Sequence, residues 1–246
     1  MVNETISEDI ATSLRLTDQY DKVLEIGPGQ GMLTKYLLQQ PYELIVVEAD
    51  RDMVSYLQKN YPKLNGQIIS EDFMKVDLSL FFKNKPFGLI GNYPYNISSQ
   101  ILFKMLDNKD QIPEMVGMFQ KEVAERVVAP PGNKTYGVVS VLVQAYYDGE
   151  LLFEVDKNEF NPPPKVQSAV IRLTRKANQD LGCDYSFFRK VVKQAFSQRR
   201  KMLRNTMKMF VNTPELQEDP LFQKRPEKLS VQDFVDLTNW IRERIS

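Results

Sequence analysis

Hydrophobic positions along the first two thirds of the chain alternate between short continuous apolar runs and longer amphipathic segments. The short runs are rich in Val, Ile, Leu and Phe, which is typical of buried strands, whereas the longer segments repeat their apolar residues at helical spacing. Strands that alternate with helices predict a parallel sheet covered on both faces. The apolar runs cover residues 23–27, 43–48, 66–73, 87–92 and 114–120, and the helical segments cover 31–39, 51–60, 97–107 and 121–128.

The pattern changes after residue 136. A helical stretch at 137–148 precedes two strand-like runs at 151–160 and 166–176, which predict an antiparallel hairpin at the sheet edge. Beyond residue 176 only helical patterns remain, at 184–195, 197–211, 214–222 and 230–245. We therefore predict an α/β domain with a mostly parallel seven-stranded sheet over residues 1–178, and a small all-helical domain over residues 179–246.

Composition agrees with an ordinary folded protein, because 42% of the 246 residues are hydrophobic and 26% are charged, without repeats. No run approaches the roughly 18 apolar residues of a membrane span, and the opening sequence MVNETISEDI is polar and acidic, unlike a signal peptide. We therefore expect a cytoplasmic protein without membrane contact. No apolar surface in the sequence demands a dimer, so we also expect a monomer.

Two residue types narrow the chemistry that is open to this chain. Cys183 is the single cysteine, and the chain has no histidine. One cysteine excludes an internal disulfide and a cysteine-rich zinc site, and the absence of histidine removes the commonest general base and metal ligand. We expect no metal site, and any reaction must proceed without imidazole.

The overall charge balance hides one basic segment. Net charge is formally zero and the sequence pI is about 6.4, which by itself argues against a nucleic-acid partner. Residues 189–208, however, carry eight basic side chains and no acidic one. The cluster within this segment is either a solvated helix face or a surface for phosphates. It consists of Arg199, Arg200, Lys201 and Arg204.

Residues 23–31 read VLEIGPGQG, a strand followed by a tight glycine turn and then a helical pattern. Gly27, Gly29 and Gly31 would let the backbone approach a ligand that any Cβ would displace. A dinucleotide fingerprint would need glycine at the position of Met32, so the spacing favours a nucleoside without a diphosphate. A purely steric strand-to-helix turn is the alternative.

Two carboxylates end the next two strands. Glu48 follows the glycine turn at about the spacing where a carboxylate reaches ribose hydroxyls, and Asp72 lies where it could accept from an adenine amino group. Taken alone, Glu48 could equally be a solvated strand end. Ligands of open α/β sheets bind outside the carboxyl ends of the strands. The glycine turn, Glu48 and Asp72 together therefore predict an adenosine-containing cofactor such as S-adenosylmethionine, with Glu25 nearer its amino-acid portion.

The fourth strand runs into NYPYNISSQ at the same edge of the sheet. An exocyclic amine is a poor nucleophile because its lone pair is delocalised into the ring, and two acceptors on its N–H bonds would draw the nitrogen toward tetrahedral geometry. The Asn92 side-chain oxygen and the main-chain carbonyl of Tyr93 or Pro94 are the candidate acceptors. Tyr95 offers a face on which an extruded base could stack. The alternative is a rigid turn whose tyrosine fills the core, with Asn96 or Ser98 as the N-cap of the next helix.

Other methyl-transfer chemistries fit less well or remain open. Attack on a pyrimidine carbon would require a catalytic cysteine, and Cys183 lies far along the chain in the all-helical part, so carbon methylation is disfavoured. Methylation of a glutamine amide stays possible, because the amide nitrogen presents the same problem as an exocyclic amine.

Several long motifs resemble the ribosomal RNA adenine dimethyltransferases, a likeness that spans most of the chain. They are VLEIGPGQG, VVEAD, EDF, NYPYNISSQILFKML, QKEVAERVVAPPGNKTYGVVSVLVQ, FNPPPKVQSAVIRL and FSQRRKMLRNTMK. The resemblance implies a Rossmann-like class I methyltransferase with a small helical RNA-binding domain. It also implies S-adenosylmethionine-dependent N6,N6-dimethylation of two adjacent adenosines in the 3′-terminal hairpin of 16S rRNA, on a 30S assembly intermediate.

The resemblance also implies roles for individual residues. Gly27, Gly29 and Glu48 would hold S-adenosylmethionine. Asp72 would bind its adenine, and Asn92 would contact both the cofactor and the target amine.

Tyr95 would then stack the target adenine, with Phe160 closing on its other face. Without the resemblance, an aromatic residue before three prolines is more simply a packed loop anchor. For an enzyme acting on rRNA, the cluster of Arg199, Arg200, Lys201 and Arg204 becomes a phosphate-contacting surface.

One departure from the family pattern concerns the start of the chain. Family members usually begin with a basic segment carrying an L-G-Q-H/N-F-L motif that lies over the cofactor, and this chain begins just past it, at MVNETISEDIATSL. The resemblance then implies that full cofactor affinity and activity need a segment that the present sequence lacks. Two other functions stay open: a 23S rRNA adenine methyltransferase of the macrolide-resistance type, and a non-catalytic RNA-binding assembly factor.

Overall fold

The computed structural model describes residues 3–214 and 218–245. Its strands are β1 Lys22–Ile26, β2 Glu43–Glu48, β3 Ile68–Ser70, β4 Gly88–Asn92, β5 Glu114–Gln120, β6 Tyr147–Val155 and β7 Ser168–Arg175. They form one seven-stranded sheet in the order β3-β2-β1-β4-β5-β7-β6. Strands β1 to β5 pair in parallel and β7 pairs antiparallel with β5, so the predicted mostly parallel α/β sheet is confirmed.

Helices connect the strands and follow the last one. They are α1 Glu4–Ala11, α2 Thr34–Leu37, α3 Arg51–Asn60, α4 Leu78–Phe82, α5 Ser98–Asp107, α6 Lys121–Val128, α7 Val138–Gln144, α8 Tyr185–Phe196, α9 Leu203–Thr206, α10 Pro220–Gln223 and α11 Val231–Ile245. Helices α3, α4 and α8 begin where an aspartate side chain accepts backbone N–H groups of the first turn. These caps are Asp50, Asp77 and Asp184. The helices after Asp50 and Asp184 were predicted, whereas the short helix after Asp77 was not.

One face of the sheet packs against the helices nearest the chain start. Val23, Val46 and Ile90 project from three neighbouring strands into a buried cluster. Ile10 of α1 and Leu37 of α2 belong to the same cluster. The residues between them on each strand are buried as well, so both faces of the sheet are covered, as continuous apolar runs predict.

The chain divides into two compact units. The first contains the chain up to Ala124 together with Asp148–Arg175, and the second contains Glu125–Tyr147 together with the chain from Lys176. The predicted division at residues 178 and 179 differs from this in one respect, since Glu125–Tyr147 groups with the C-terminal helices. The reason is a long-range contact, because α7 packs against α8 and linear periodicity carries no sign of that pairing.

Two predicted elements near the glycine turn are shorter than expected. The run at 66–73 forms a strand only over Ile68–Ser70, because Asp72 leaves the sheet and caps a 3₁₀ turn at Phe73–Lys75. The helix predicted at 31–39 is confined to α2, since turns occupy the residues on either side.

The predicted hairpin is shifted along the chain. Helix α7 ends at Gln144 and β6 already begins at Tyr147, so the strand predicted at 151–160 starts too late and extends beyond Val155. The pair Tyr146 and Tyr147 fits a helical period as well as a strand, and sheet pairing decides between them. β6 lies at the sheet edge beside β7, as predicted.

The basic segment is also less helical than predicted. Of the helix expected at 197–211, only Leu203–Thr206 is α-helical, followed by a 3₁₀ turn at Met207–Met209. Met202 is extended, and the Leu203 N–H donates to the carbonyl of Lys224 at 2.9 Å, a contact from a distant part of the sequence.

The helix predicted at 214–222 includes residues 215–217, which lie outside the described residues. Its last part corresponds to α10, where Asp219 caps a first turn that begins with Pro220. Among the described residues, no helix is both long enough and apolar enough to cross a membrane.

Candidate active site

The turn between β1 and α2 is shaped by glycines with positive φ. Gly29 has φ +55°, and a Cβ built there would have no heavy atom within 4 Å, so its backbone faces open space. Gly31 has φ +81°, and a Cβ there would lie 2.5 Å from the Tyr61 ring. The Tyr61 hydroxyl donates to the Gln30 and Gly31 carbonyls at 3.2 and 3.1 Å. Tyr61 therefore supports the turn from behind and leaves its other side free.

Glu48 is fixed beside this turn at the end of β2. Its Oε2 accepts the Gly29 N–H at 3.1 Å, and its Oε1 accepts the Asp50 N–H at 3.0 Å. Each carboxylate oxygen can accept a further hydrogen bond, because it has two lone pairs. The two backbone donors hold the carboxylate in one orientation, ready for a ligand with paired hydroxyls.

Glu25 is a buried acid next to the same turn. It lies on β1 and is 1% exposed, and its Oε2 accepts the Thr34 hydroxyl at 2.7 Å. Burial raises the pKa of Glu25 to about 8, with a further upward contribution from Glu48 and an opposing one from the Thr34 hydrogen bond. The carboxyl group is therefore mostly protonated at neutral pH in the absence of a nearby cation.

A cleft of about 600 Å³ opens at the glycine turn. Four of the predicted cofactor residues line it, namely Glu25, Gly27, Gly29 and Asn92. Glu48 is not among the lining residues, but its hydrogen bond to Gly29 places it next to the cleft wall.

Asp72 is placed at the end of β3 and is already partly engaged. Its Oδ1 accepts the Met74 N–H at 2.9 Å and so caps the short turn that follows. Lys104 of α5 stabilises that turn by donating to the Phe73 and Val76 carbonyls at 2.5 and 2.6 Å. Asp72 is half-buried and does not line the cleft, so its proposed contact with adenine stays a prediction.

The loop after β4 is anchored by its first tyrosine. Tyr93 is 1% exposed, and its hydroxyl donates to the Val116 carbonyl at 3.1 Å. Its ring fills a slot in which Cβ atoms at Gly91 and Gly117 would lie 2.9 and 2.0 Å away. The alternative of a core-filling tyrosine is therefore correct for Tyr93, and this packing fixes the position of Asn92 next to it.

The anchored loop leaves one carbonyl available. The Pro94 carbonyl accepts the Ile97 N–H at 3.2 Å, and the Tyr95 carbonyl accepts the Ser98 hydroxyl at 3.1 Å. Among the described residues, none donates to the Tyr93 carbonyl. Of the two candidate partners of Asn92 in holding an amine, Tyr93 is thus the free acceptor, and Pro94 stiffens the chain beside it.

Asn92 and Tyr95 also line a second cleft of about 240 Å³, together with Phe160 and the prolines Pro162 and Pro164. We call it the aromatic cleft. The Tyr95 hydroxyl lies 2.5 Å from the hydroxyl of buried Ser168, which holds the ring at its tip. Asn92 lines both clefts. A flat group in this second cleft would therefore lie close to Asn92, the residue that the two clefts share.

Phe160 serves two purposes in this arrangement. It is half-buried and packs partly against the main core cluster, as a loop anchor would. It also lines the aromatic cleft, and its role as a stacking residue stays a prediction. The neighbouring Asn161 lines the glycine-turn cleft, so one loop contributes to both.

The basic cluster lies in the second compact unit and does not follow one helix. Arg199, Arg200 and Lys201 occupy the turn after α8, and Arg204 lies on α9. Arg199 donates to the Asn133 carbonyl at 3.4 Å. Arg200 and Lys201 are exposed, so the cluster presents its charge to solvent, although it is not the continuous helix face that periodicity predicted.

Cys183 is poorly suited to act as a nucleophile. It lies just before α8, where burial and the nearby Asp184 and Asp180 raise the pKa of its thiol to about 11. The thiol therefore stays protonated at neutral pH, which agrees with the prediction against carbon methylation.

A family model described as ribosomal RNA adenine dimethylase matches residues 1–243. The chain belongs to this family. It is therefore an rRNA adenine dimethyltransferase, and the methyl donor of its family is S-adenosylmethionine. The predicted activity and cofactor are confirmed at this level.

Curated relatives extend the match over nearly the full chain. A protein of Flavobacterium johnsoniae named ribosomal RNA small subunit methyltransferase A is 55% identical over 239 residues, covering 97% of this chain and 91% of the relative. The protein of the same name from Bacteroides thetaiotaomicron is 53% identical over 241 residues, covering 98% and 90%.

Solved structures support the same fold. A dimethyladenosine transferase from Plasmodium falciparum superposes with a TM-score of 0.82 at 26% identity, covering 98% of this chain and 97% of that one. The 23S rRNA methyltransferase ErmE superposes with a TM-score of 0.70 at 22% identity, covering 96% and 98%. At that identity the second likeness concerns the fold alone.

Several residues that line or support the glycine-turn cleft were not predicted from the sequence. Thr34 was hidden inside a helical pattern, although its place right after the glycine turn was a usable signal. Asn161 lies far along the chain from the turn that it faces, and no local pattern connects the two. Pro28, Gln30, Met32 and Leu33 also line the glycine-turn cleft.

Proposed function

We propose that the chain dimethylates N6 of two adjacent adenosines in the 3′-terminal hairpin of small-subunit rRNA, acting on a 30S assembly intermediate. The observation that carries the chemistry is the position of Asn92, which lines both the glycine-turn cleft and the aromatic cleft. The choice of the small subunit is supported by relatives that carry that substrate in their names at 53–55% identity.

The residues of the glycine-turn cleft suit S-adenosylmethionine. Gly27 and Gly29 leave room for close backbone approach, and the oriented Glu48 carboxylate can accept from two ribose hydroxyls. Glu25 would face the amino-acid portion, and Asp72 would accept from the adenine amino group through its remaining oxygen. When bound, the cofactor supplies an electrophilic methyl group.

At the target amine, the two acceptors of the Asn92 loop would do the chemical work. The Asn92 side-chain oxygen and the free Tyr93 carbonyl each accept one N–H bond, which localises the nitrogen lone pair and stabilises the positive charge that develops on it. Both acceptors are held in advance by the buried Tyr93 ring. No ionising base takes part, consistent with a chain that contains no histidine.

The target base would be held in the aromatic cleft. Tyr95 and Phe160 line it, and the Tyr95 ring is oriented by the 2.5 Å contact of its hydroxyl with Ser168. Stacking between two rings offsets part of the cost of lifting an adenine out of its helix or loop.

The second compact unit would contribute RNA affinity. The cluster of Arg199, Arg200, Lys201 and Arg204 is free of acidic ion-pair partners among the described residues, and its exposed members can contact phosphates. When a substitution removes one such phosphate interaction, the log–log slope of affinity against salt concentration should become shallower by about one unit.

The substrate is tested with labelled S-adenosylmethionine and 30S particles isolated from cells without this modification. Label should appear in two adjacent adenosines near the 3′ end of 16S rRNA. Label confined to 23S rRNA would move the assignment to the resistance-type methyltransferase.

RNA contact by the basic cluster is tested separately. The double variant Arg199→Glu, Arg200→Glu should bind 30S particles more weakly than the wild type and with a flatter salt dependence, while S-adenosylmethionine affinity is unchanged. The double variant Lys59→Glu, Lys63→Glu, which makes the same change in charge at two exposed lysines outside the cluster, is the matched control. Equal particle binding by the two variants would mean that the cluster is a solvated surface that does not contact RNA.

A further inference from the structure

Glu25 is a buried carboxyl group whose hydrogen bonding is only half complete. Its Oε2 accepts the Thr34 hydroxyl, and none of the described residues donates to its Oε1. A hydroxyl is weak compensation for a charge removed from water, so the neutral acid is the stable form when no cation is near. The side chain nevertheless lines the cleft, where a ligand can reach it.

The described residues around Glu25 add no positive charge to its surroundings. Glu48 lies close enough to disfavour a second carboxylate. Tyr42 and Tyr61 have raised pKa values, mainly because they are partly buried and in part because of Glu25 itself, so both remain neutral phenols. Asn92, on the neighbouring strand, contributes a neutral amide.

We propose that Glu25 gives up its proton when the cleft takes up an α-amino acid ammonium group, so that cofactor binding releases one proton to solvent. The ammonium group supplies the cation that the buried carboxylate otherwise lacks. Thr34 is the positioning residue, since its hydroxyl holds the carboxylate oxygen in both states. The proposal rests on the placement of the amino-acid portion beside the glycine turn given above.

A direction of pH dependence follows from this coupling. Burial raises the pKa of Glu25 to about 8, so below that pH the proton must leave before the ion pair can form. Affinity should therefore rise about tenfold per pH unit between about pH 6 and pH 7. In this range the ligand's own α-amino group is already protonated and adds little to the slope.

The test uses S-adenosylhomocysteine, which has the same adenosine and amino-acid portions and cannot react. Calorimetric titration at pH 6.5 in two buffers of different ionisation enthalpy should show release of about one proton by the wild type. Glu25→Gln should release almost none, and its affinity should stay nearly constant from pH 6 to pH 7. 5′-Methylthioadenosine, which lacks the amino-acid portion, is the matched ligand and should release none from the wild type.

The role of Thr34 has its own measurement. Thr34→Val removes a hydrogen bond to the charged form, so the pH at which affinity levels off should move upward, and Thr34→Ser should restore it. Retained binding of 5′-methylthioadenosine confirms that each variant is folded.

Two results separate the possible failures. Proton release by Glu25→Gln equal to that of the wild type, or none by the wild type, would overturn the coupling while leaving the cofactor in the cleft. S-adenosylhomocysteine affinity that is unchanged at pH 8 in both Glu25→Gln and Gly29→Val would instead overturn the placement itself.

Discussion

The parallel strands of the sheet begin at one side, called here the amino edge, and end at the other, called the carboxyl edge. Each edge contains a buried carboxylate, but the two are hydrogen-bonded very differently. At the amino edge, Glu114 begins β5 and is fully buried, and it accepts the backbone N–H groups of Arg15 and Leu16, each at 2.9 Å, and the Tyr20 hydroxyl at 3.0 Å. At the carboxyl edge, Glu25 is equally buried but has a single hydroxyl donor and borders an open cleft.

This difference separates stabilising polar contacts from functional ones. The donors around Glu114 come from the chain itself, so the amino edge is complete without any ligand. At the carboxyl edge the Glu25 carboxyl group, the Asn92 amide and the Tyr93 carbonyl keep unused hydrogen-bonding capacity. Since we propose that other molecules bind there, we expect its residues to affect activity more than stability.

The largest effect should come from the carboxyl edge. Asn92→Ala removes one of the two acceptors for the target amine, and turnover should fall about 10²–10³-fold, as when one preorganised group is lost from a charge-stabilising site. The measurement is methyl transfer to 30S particles under saturating conditions, alongside particle binding.

Asn96→Ala is the matched control, since Asn96 lies in the same loop and is exposed. It should retain most of the turnover. If Asn92→Ala weakened particle binding as much as turnover, its role in activating the amine would be wrong.

The amino edge should respond in stability instead. Glu114→Ala leaves two backbone N–H groups and a tyrosine hydroxyl without their acceptor, and the free energy of unfolding should drop by about 3 kcal/mol in urea titration. Glu43→Ala, at the start of strand β2 on the same edge of the sheet, loses only the exposed ion pair with Lys22 and should cost less than about 1 kcal/mol. Equal losses in the two variants would mean that the buried hydrogen bonds of Glu114 add nothing to stability, which would contradict the stabilising role given to the amino edge.

A third variant tests how the core positions the Asn92 loop. Gly117→Ala puts a Cβ 2.0 Å from the Tyr93 ring, so the ring must move, and unfolding should become easier by about 2 kcal/mol. Turnover should fall as well, because Asn92 moves with its neighbour. Gly137→Ala serves as control, since its Cβ would have no heavy atom closer than 3.9 Å. Normal turnover in Gly117→Ala would refute the proposed anchoring.

The smallest effect should be at the tip of Tyr95. Tyr95→Phe keeps the stacking ring and removes the hydrogen bond with Ser168, so the KM for the RNA substrate should rise only about 2–10-fold, the range expected for one hydrogen bond. Ser168→Ala should behave alike, and the double variant should add little further. A loss as large in Tyr95→Phe as in Tyr95→Ala would mean that the hydroxyl, not the ring, holds the base.

Much of the carboxyl edge could be predicted because its signals are local. The glycine turn, Glu48 and the Asn92 loop each follow an apolar run directly, and parallel strands bring such ends together. The amino edge gave no such signal. Glu114 looked like an ordinary polar start of a strand, and its donors lie about a hundred residues earlier in the chain.

Errors in the predicted elements have the same origin. Periodicity placed Arg199 to Arg204 on one helix, whereas the structure interrupts that helix before Leu203, whose N–H donates to the Lys224 carbonyl and not to a carbonyl one turn earlier. It likewise assigned Glu125–Tyr147 to the sheet domain, although α7 packs on α8. In both cases a contact between distant parts of the chain outweighs local propensity.

By itself, the sequence determined the α/β class, the order of strands and helices and the chemical types gathered at the carboxyl ends of the strands, because these follow from periodicity and from residues adjacent in the chain. Only the tertiary structure decided which acceptors stay free. The Tyr93 carbonyl and the Glu25 carboxyl group differ from Pro94 and Glu114 through donors supplied by the folded chain around them. A buried polar group serves stability when the folded chain provides its hydrogen-bond donors, and it is available for function when the chain does not. These donors come into place only on folding.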